Sequence, residues 1–250
     1  MKIVIIGGTG LIGSQVTNRL KNEHEIVIAS PNTGVNTLTG EGLEEALRNA
    51  QVVVDVSNSP SFEDGPVMNF FKTSNENLLP AEKKAGVQHH IALSVVGTDR
   101  LQESGYFRAK QVQEDLIKES GIPYTIVHAT QFFEFAGGIL AMSTTDGKAK
   151  LSNALIQPMA SMDVAAFVSK VATEAPVNKV LEIGGPQQFR IDEWISDYIT
   201  STEKAVTIET DVLAPYSGAI LEKNTLTPDN PVFSGTIGYA EWIAKPENKR

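Results

Sequence analysis

The chain contains no cysteine. Disulfides, thiolate nucleophiles and zinc–thiolate centres are therefore excluded, and the redox compartment is left open. Histidine is scarce, and His24, His89, His90 and His128 fall at no metal-ligand spacing, so no metal site is expected. No apolar run approaches the ~20 residues that span a bilayer. The opening Met1-Lys2-Ile3 runs too soon into glycine to read as a secretion signal. A cytoplasmic protein without membrane contact is the expectation. Positive charge is also in short supply: 21 Lys and Arg against 30 Asp and Glu leave a net charge of −9. Neutralising phosphates requires clustered cations, so no nucleic-acid partner is expected. The pair Lys83-Lys84 reads as the solvated end of a helix, where cations suit the dipole.

What the chain does have is enough apolar residue, 41% of 250, to bury one full core. Its most informative stretch is the turn Gly7-Gly8-Thr9-Gly10-Leu11-Ile12-Gly13, directly after the apolar run Ile3-Val4-Ile5-Ile6. A buried strand that runs through glycines into a helix is a device for holding a diphosphate. The glycines allow a tight turn and close approach of backbone to ligand. The helix aims its free N–H groups and positive dipole end at the phosphates. The spacing is G-x-x-G-x-x-G, and a second strand, Glu25–Ala29, follows the helix. Gly7, Thr9, Gly10, Leu11, Ile12 and Gly13 are therefore candidate cofactor-binding residues, with a dinucleotide as the expected ligand.

Further along, apolar runs at 3–6, 25–29, 51–56, 89–96 and 124–128 alternate with helical patterns at 11–21, 41–49, 66–85 and 106–120. Such alternation, with strands that read as continuous apolar runs, predicts an α/β fold: a doubly wound parallel sheet covered by helices on both faces. Gly86 and Gly121 mark helix ends, and Pro80 predicts a kink or break within the third helix. After about residue 131 the pattern loosens. Helices are expected near 134–143, 162–173 and 191–201, and a strand at 179–183. We read residues 1–250 as a single domain in which ~131–250 contribute a small C-terminal α+β cap for substrate.

The second cluster is Ser94 with Tyr106-Phe107-Arg108-Ala109-Lys110. Tyr106 and Lys110 are four apart on a predicted helix and share one face. Ser94 lies at the carboxyl end of a predicted strand, the edge at which open parallel sheets bind ligands. A phenol with a pKa of about 10 is a poor acid or base at neutral pH. A lysine ammonium nearby favours the phenolate and lowers that value. Such a tyrosine exchanges a proton with a carbonyl oxygen as hydride reaches or leaves the carbon. The serine hydroxyl can hold that oxygen, and the lysine can also bond a cofactor ribose. Ser94, Tyr106 and Lys110 are thus the expected catalytic residues.

Together with Val53-Val54-Asp55-Val56-Ser57-Asn58, Leu93-Ser94-Val95-Val96-Gly97 and Pro123-Tyr124-Thr125-Ile126-Val127, these motifs resemble the short-chain dehydrogenase/reductase superfamily. More closely, the chain is similar to its atypical, NmrA-like NAD(P)-binding branch. The resemblance implies a Rossmann-type sheet, a nicotinamide cofactor and a Ser-Tyr-Lys site. That branch includes carbonyl and quinone reductases, and also cofactor-binding regulators. The expected activity is hydride transfer from NAD(P)H to a carbonyl or quinone-like small molecule. The alternatives are an NAD(P)-sensing regulator without turnover, or an epimerase or isomerase with tightly held cofactor.

The second strand ends in Ala29-Ser30-Pro31-Asn32-Thr33, with neither the acid usual for NAD nor the arginine usual for NADP. Without an acid a 2′-phosphate is tolerated, and Ser30, Asn32 and Thr33 can bond it, so NADP is preferred and NAD remains possible. Ser57 and Asn58 are expected against the adenosine or ribose. The segment 34–40 lacks the Asp often found there in the family. Asp55 within an apolar run needs partners, expected near the glycine turn. Thr130, Gln131, Phe132 and Phe133 are expected in the substrate pocket. Trp194 and Trp242 are expected in the core or a lid, and His89 and His90 in structural positions. The chain is expected to act on a small molecule, as a monomer or homodimer.

Overall fold

The structure, a computed structural model, describes residues 1–249. Five apolar segments form strands β1 (Lys2–Ile6), β2 (Glu25–Ala29), β3 (Val52–Asp55), β4 (His89–Val95) and β5 (Tyr124–Ala129). Between them run helices α1 (Leu11–Leu20), α2 (Leu43–Leu47), α3 (Asp64–Ala85) and α4 (Gly105–Glu119). There follow α5 (Ala136–Ser143), β6 (Thr144–Thr145), β7 (Lys148–Leu151), β8 (Leu155–Ile156), α6 (Ser161–Thr173), β9 (Lys179–Gly184) and β10 (Phe189–Arg190). The chain ends through α7 (Ile191–Thr202), β11 (Thr207–Thr210), β12 (Phe233–Ser234) and α8 (Tyr239–Ile243). Among the described residues no helix is long and apolar enough to cross a membrane.

The central sheet has seven strands in the order β12-β9-β5-β4-β3-β1-β2, all parallel. Its side chains alternate between two buried layers, as the period of two requires. Ile3, Ile5, Val52, Val54 and Ile91 face α1 and α6, where they meet Ile12, Val16, Val164 and Val168. Val4, Ile6, Val53, Ala92 and Ile126 face the other way, onto Leu43 and Leu47 of α2, Leu78 of α3 and Ile117 of α4. β1 is flanked by β2 on one side and β3 on the other, so the strand order reverses there. In such sheets the crevice beyond the carboxyl ends of the strands is the place for a ligand. This is the Rossmann-type arrangement the motifs imply.

The segment after residue 131 serves two places. α6, β9 and β12 return to the central sheet. The rest builds a cap from α5, α7, α8 and two small sheets, β11-β7-β6 and β10-β8. The cap has its own core, in which Phe133, Leu140, Ile156, Trp194, Tyr198, Tyr239 and Trp242 pack together. Both tryptophans are thus core residues. Pro80 does not break α3, which runs unbroken from Asp64 to Ala85. One lost backbone bond is outweighed by a 22-residue helix that buries Val67, Phe71, Leu78 and Leu79 along one face. That helix is also tied to the sheet by a buried pair, in which His90 Nδ1 lies 2.9 Å from the Glu82 carboxylate. His89 Nε2 is 2.9 Å from the Thr125 hydroxyl.

The glycine turn depends on absent side chains. Gly7 has φ +77°, and a Cβ there would lie 2.9 Å from the Ser57 backbone. A Cβ on Gly13 would meet the Gly7 carbonyl oxygen and lie 2.6 Å from Gly8 Cα. Gly13→Ala is therefore expected to lift α1 off β1 and to cost about 1–3 kcal/mol. Gly138→Ala is the control. It lies in α5, and a Cβ added there would have nothing within 4 Å. That substitution should stabilise by about 0.5–1 kcal/mol. Urea denaturation of both variants checks the pair.

Candidate functional site

The carboxyl edge of the sheet collects the residues singled out by motif. At β1 the turn from Gly7 to Gly13 brings bare backbone to the surface, and α1 follows the cap residue Gly10 with no side-chain cap on its first turn. The uncapped helix start and the glycine-rich turn fit an anion such as a diphosphate. Thr9, Gly10 and Leu11 are exposed on it, whereas Ile12 points into the core.

At β2 the stretch Ser30–Thr33 is a short 3₁₀ turn rather than an open loop. The Thr33 hydroxyl donates to the Ile28 carbonyl at 2.8 Å and accepts from the Ser30 N–H at 3.0 Å. Its proton is therefore committed within the turn, contrary to the expectation that it serves a phosphate. Asn32 is exposed. The following segment is pinned by Asn77, whose amide donates to the carbonyls of Thr37 and Leu38. At β3 the buried Asp55 does not bond the glycine turn as expected. It accepts from the Ser57 N–H and hydroxyl, at 3.0 and 2.6 Å, and from Gln113 Nε2 at 2.9 Å. By holding Ser57 it shapes the backbone against which Gly7 packs. Asn58 is exposed and accepts from the Ser59 N–H.

Ser94, Tyr106 and Lys110 meet a denser network than their spacing suggests. The Ser94 hydroxyl donates to Glu114 Oε1 at 2.6 Å. The same oxygen lies 2.7 Å from His128 Nε2, and Lys118 sits 3.3 Å from Oε2. Burial opposes the charge on Glu114. The hydrogen bonds from His128 and Ser94 and the nearby Lys118 outweigh it and bring the carboxyl down to about 2. Glu114 is thus ionised and accepts only, so His128 Nε2 carries the proton. The serine proton is likewise given away, and Ser94 turns lone pairs, not a donor, toward any other group.

The Lys110 ammonium donates to the Leu93 carbonyl at 3.0 Å and to Gln113 Oε1, and lies 4.4 Å from the centre of the Phe71 ring. Burial draws it down to about 8, against the pull of Asp55 and Glu114. The expected lowering of the Tyr106 pKa by this lysine is not found. Burial raises that phenol well above its ordinary value, and the charge of a Tyr216 phenolate opposes its ionisation further. Tyr106 is half-buried among Phe62, Phe71 and Phe107, and its hydroxyl has no hydrogen-bond partner among the described residues.

Of the four pocket candidates, the Thr130 hydroxyl donates to the Gln157 carbonyl at 2.6 Å. Phe132 stacks on Phe135 with 4.9 Å between ring centres. Phe133 points into the cap core against Tyr239 and Trp242. Gln131 is buried beside Tyr216, which burial pushes up to about 12. Glu114, Gln113 and Tyr216 carry no motif. The one signal for Glu114 is its place four residues beyond Lys110, on the same helix face. Tyr216 lies in the irregular tail, where only Ser217-Gly218 marks a turn.

A family model described as NAD(P)H-binding matches residues 7–175. The chain is 24% identical over 208 residues to the photosystem II assembly factor Ycf39 of Cyanophora paradoxa. That match covers 76% of this chain and 65% of that protein, so the chain spans just under two thirds of its length. It is also 24% identical over 210 residues to a (4-alkanoyl-5-oxo-2,5-dihydrofuran-3-yl)methyl phosphate reductase of Streptomyces griseus, covering 76% of this chain and 70% of that one. Among solved structures, the fold is similar to an NADPH-dependent quinone oxidoreductase of Escherichia coli. The TM-score is 0.67 and the identity 19%, over 97% of this chain and 98% of that one.

The depressed Glu114 pKa carries a stability signature. An ionised carboxylate stabilised by folding contributes fully above its unfolded value of about 4.5 and loses that contribution as pH falls through about 2. Across that window the wild type is expected to lose about 3 kcal/mol more than Glu114→Gln, with about 2 kcal/mol of it gone by pH ~3. Urea denaturation at neutral pH and near pH ~3 reads the difference; parallel losses in both proteins would contradict it.

Proposed function

The chain belongs to the NAD(P)H-binding family, and from that premise we propose that it is an NADP-preferring reductase of a carbonyl or quinone-like small molecule. One observation carries the reading: a bare glycine cradle and a phenol with an unengaged hydroxyl lie on the same edge of the sheet. Gly7, Thr9, Gly10, Leu11 and Gly13 hold the diphosphate at the start of α1, with Ser57 and Asn58 alongside. β2 ends without an acid, so nothing repels a 2′-phosphate, and the exposed Asn32 amide is available to donate to it.

When bound, the nicotinamide cofactor supplies the hydride. Tyr106 gives its proton to the substrate oxygen as negative charge builds there. Lys110 anchors α4 to β4 through the Leu93 carbonyl and so orients Tyr106, one turn away on the same helix. Ser94, held by Glu114, lines the site. Phe62 packs 5.5 Å from the Tyr106 ring and remains largely exposed. A flat apolar surface beside a proton donor suits a planar conjugated carbonyl compound. The names of two similar proteins, a quinone oxidoreductase and a reductase of an oxo-dihydrofuran, support that substrate class.

A second reading, a dinucleotide-binding protein that acts on a partner without turnover, is favoured by the similarity to an assembly factor. Two measurements separate them. Fluorescence titration is expected to give NADPH at least tenfold tighter binding than NADH, and tighter NADH would overturn the cofactor preference. Absorbance decay of NADPH against ketones, aldehydes and quinones is expected to show turnover, with Tyr106→Phe about 10²–10⁴-fold slower at unchanged cofactor affinity. Full activity in that variant would overturn the mechanism.

A further inference from the structure

The most exposed phenylalanine of the chain lies against the proposed proton donor. Phe62 is 58% exposed, and its ring centre is 5.5 Å from that of Tyr106, with the planes tilted by 52°. Two other rings meet the phenol edge-on, Phe71 at 6.1 Å and Phe107 at 5.6 Å, and both are buried. Of the three rings in contact with Tyr106, only Phe62 therefore has a face open to a ligand. Single exposed apolar side chains are ordinary. What sets Phe62 apart is how firmly it is placed.

Short side chains fold the segment around it. The Ser59 hydroxyl accepts from the Ser61 N–H at 3.3 Å, and the Ser61 hydroxyl accepts from the Glu63 N–H at 3.2 Å. Two residues after Phe62, Asp64 opens α3 and accepts from the Arg108 guanidinium at 2.6 Å. Arg108 stands near the start of α4, two residues after Tyr106, and also donates to the Gln102 and Glu103 carbonyls at 2.9 and 2.8 Å. Gly105 makes this approach possible, because a Cβ there would overlap the Asp64 carboxylate. The ion pair is exposed and adds little to stability. Its effect is geometric. The starts of α3 and α4 are joined at a point two residues from Phe62 on one chain segment and two residues from Tyr106 on the other.

We propose that Phe62 is the specificity-determining residue of the site, stacking its open face on a planar substrate ring beside Tyr106, and that the Asp64–Arg108 pair positions it. The proposal rests on the reductase reading for its substrate, and a probe that needs no turnover separates the two. 2-Naphthol, in the presence of NADP⁺, is planar and reports its own binding by fluorescence. Phe62→Leu is expected to weaken that binding about 3–10-fold, the worth of an aromatic pair, and to raise KM for 1,4-naphthoquinone by a similar factor with kcat kept. Hexanal has no ring to stack, so its kcat/KM should stay within about twofold of wild type. Asp64→Asn keeps the shape beside Gly105 and removes the charge, and should act in the same direction as Phe62→Leu and more weakly. NADPH affinity within about twofold of wild type shows that each variant is folded. The proposal falls if 2-naphthol binding is absent or insensitive to Phe62→Leu, or if that variant loses naphthoquinone and hexanal reduction equally. If no carbonyl compound is reduced but 2-naphthol binding depends on Phe62, the stacking site stands and the reductase reading fails.

Discussion

The ionised carboxylate of Glu114 sits buried beneath the carboxyl edge of the sheet, and the polarity of the whole site descends from it. It accepts from Ser94 on β4 and from His128 on β5, and it pairs with Lys118 one turn along its own helix. Three elements are thereby fixed to one another at the point where the sheet meets α4. Removing one partner from a buried charged group of this kind typically costs about 3–5 kcal/mol, because the remainder is left uncompensated. The same constraint sets the direction of protons: an anion can only accept, so the Ser94 hydroxyl and His128 Nε2 donate to it, and the serine oxygen is left to accept from other groups.

A second layer lies beside the first. Asp55, Gln113 and Lys110 form a chain from β3 through α4 to the Leu93 carbonyl. Consecutive turns of α4 therefore present Tyr106, Lys110 and Glu114 along one face, with the lysine and the glutamate turned into the protein. In a low-dielectric interior such groups are strongly coupled when matched and costly when not. Their matching makes α4 a rigid support. It leaves the helix start, with Tyr106 on it, to emerge between Phe62 and the cap.

Much of this architecture is legible in the residues. The apolar runs at 3–6 and 124–128 become central strands because a strand covered on both faces must be apolar throughout. Gly7 and Gly13 are readable because their places admit no side chain. The cap is not readable. β6, β8 and β10 are two residues long, too short for a period of two to show, and their places are set by the core around Trp194 and Tyr239. At the site, residue types are legible and proton directions are not. Ser94, Tyr106 and Lys110 stand on the elements their spacing implies, yet spacing is silent on which partner takes the serine proton or the lysine ammonium. Glu114 gives no warning of its role because a glutamate on an amphipathic helix is ordinarily solvated, and only the packing of α4 on the sheet makes this one interior.

The placement of Lys110 changes the chemistry that the motif suggests. A phenol lowered toward neutrality by an adjacent ammonium can give or take a proton with similar ease. Here the ammonium is engaged by Leu93, Gln113 and the Phe71 ring, and burial lifts the Tyr106 phenol instead. Such a phenol holds its proton until a more basic oxygen forms beside it, which is the condition created when hydride reaches a carbonyl carbon. In the opposite direction the phenolate that would have to accept the proton is scarcely populated. On the reductase reading, the burial of Tyr106 therefore biases the site toward reduction, and it does so through desolvation alone, with no residue added to the motif.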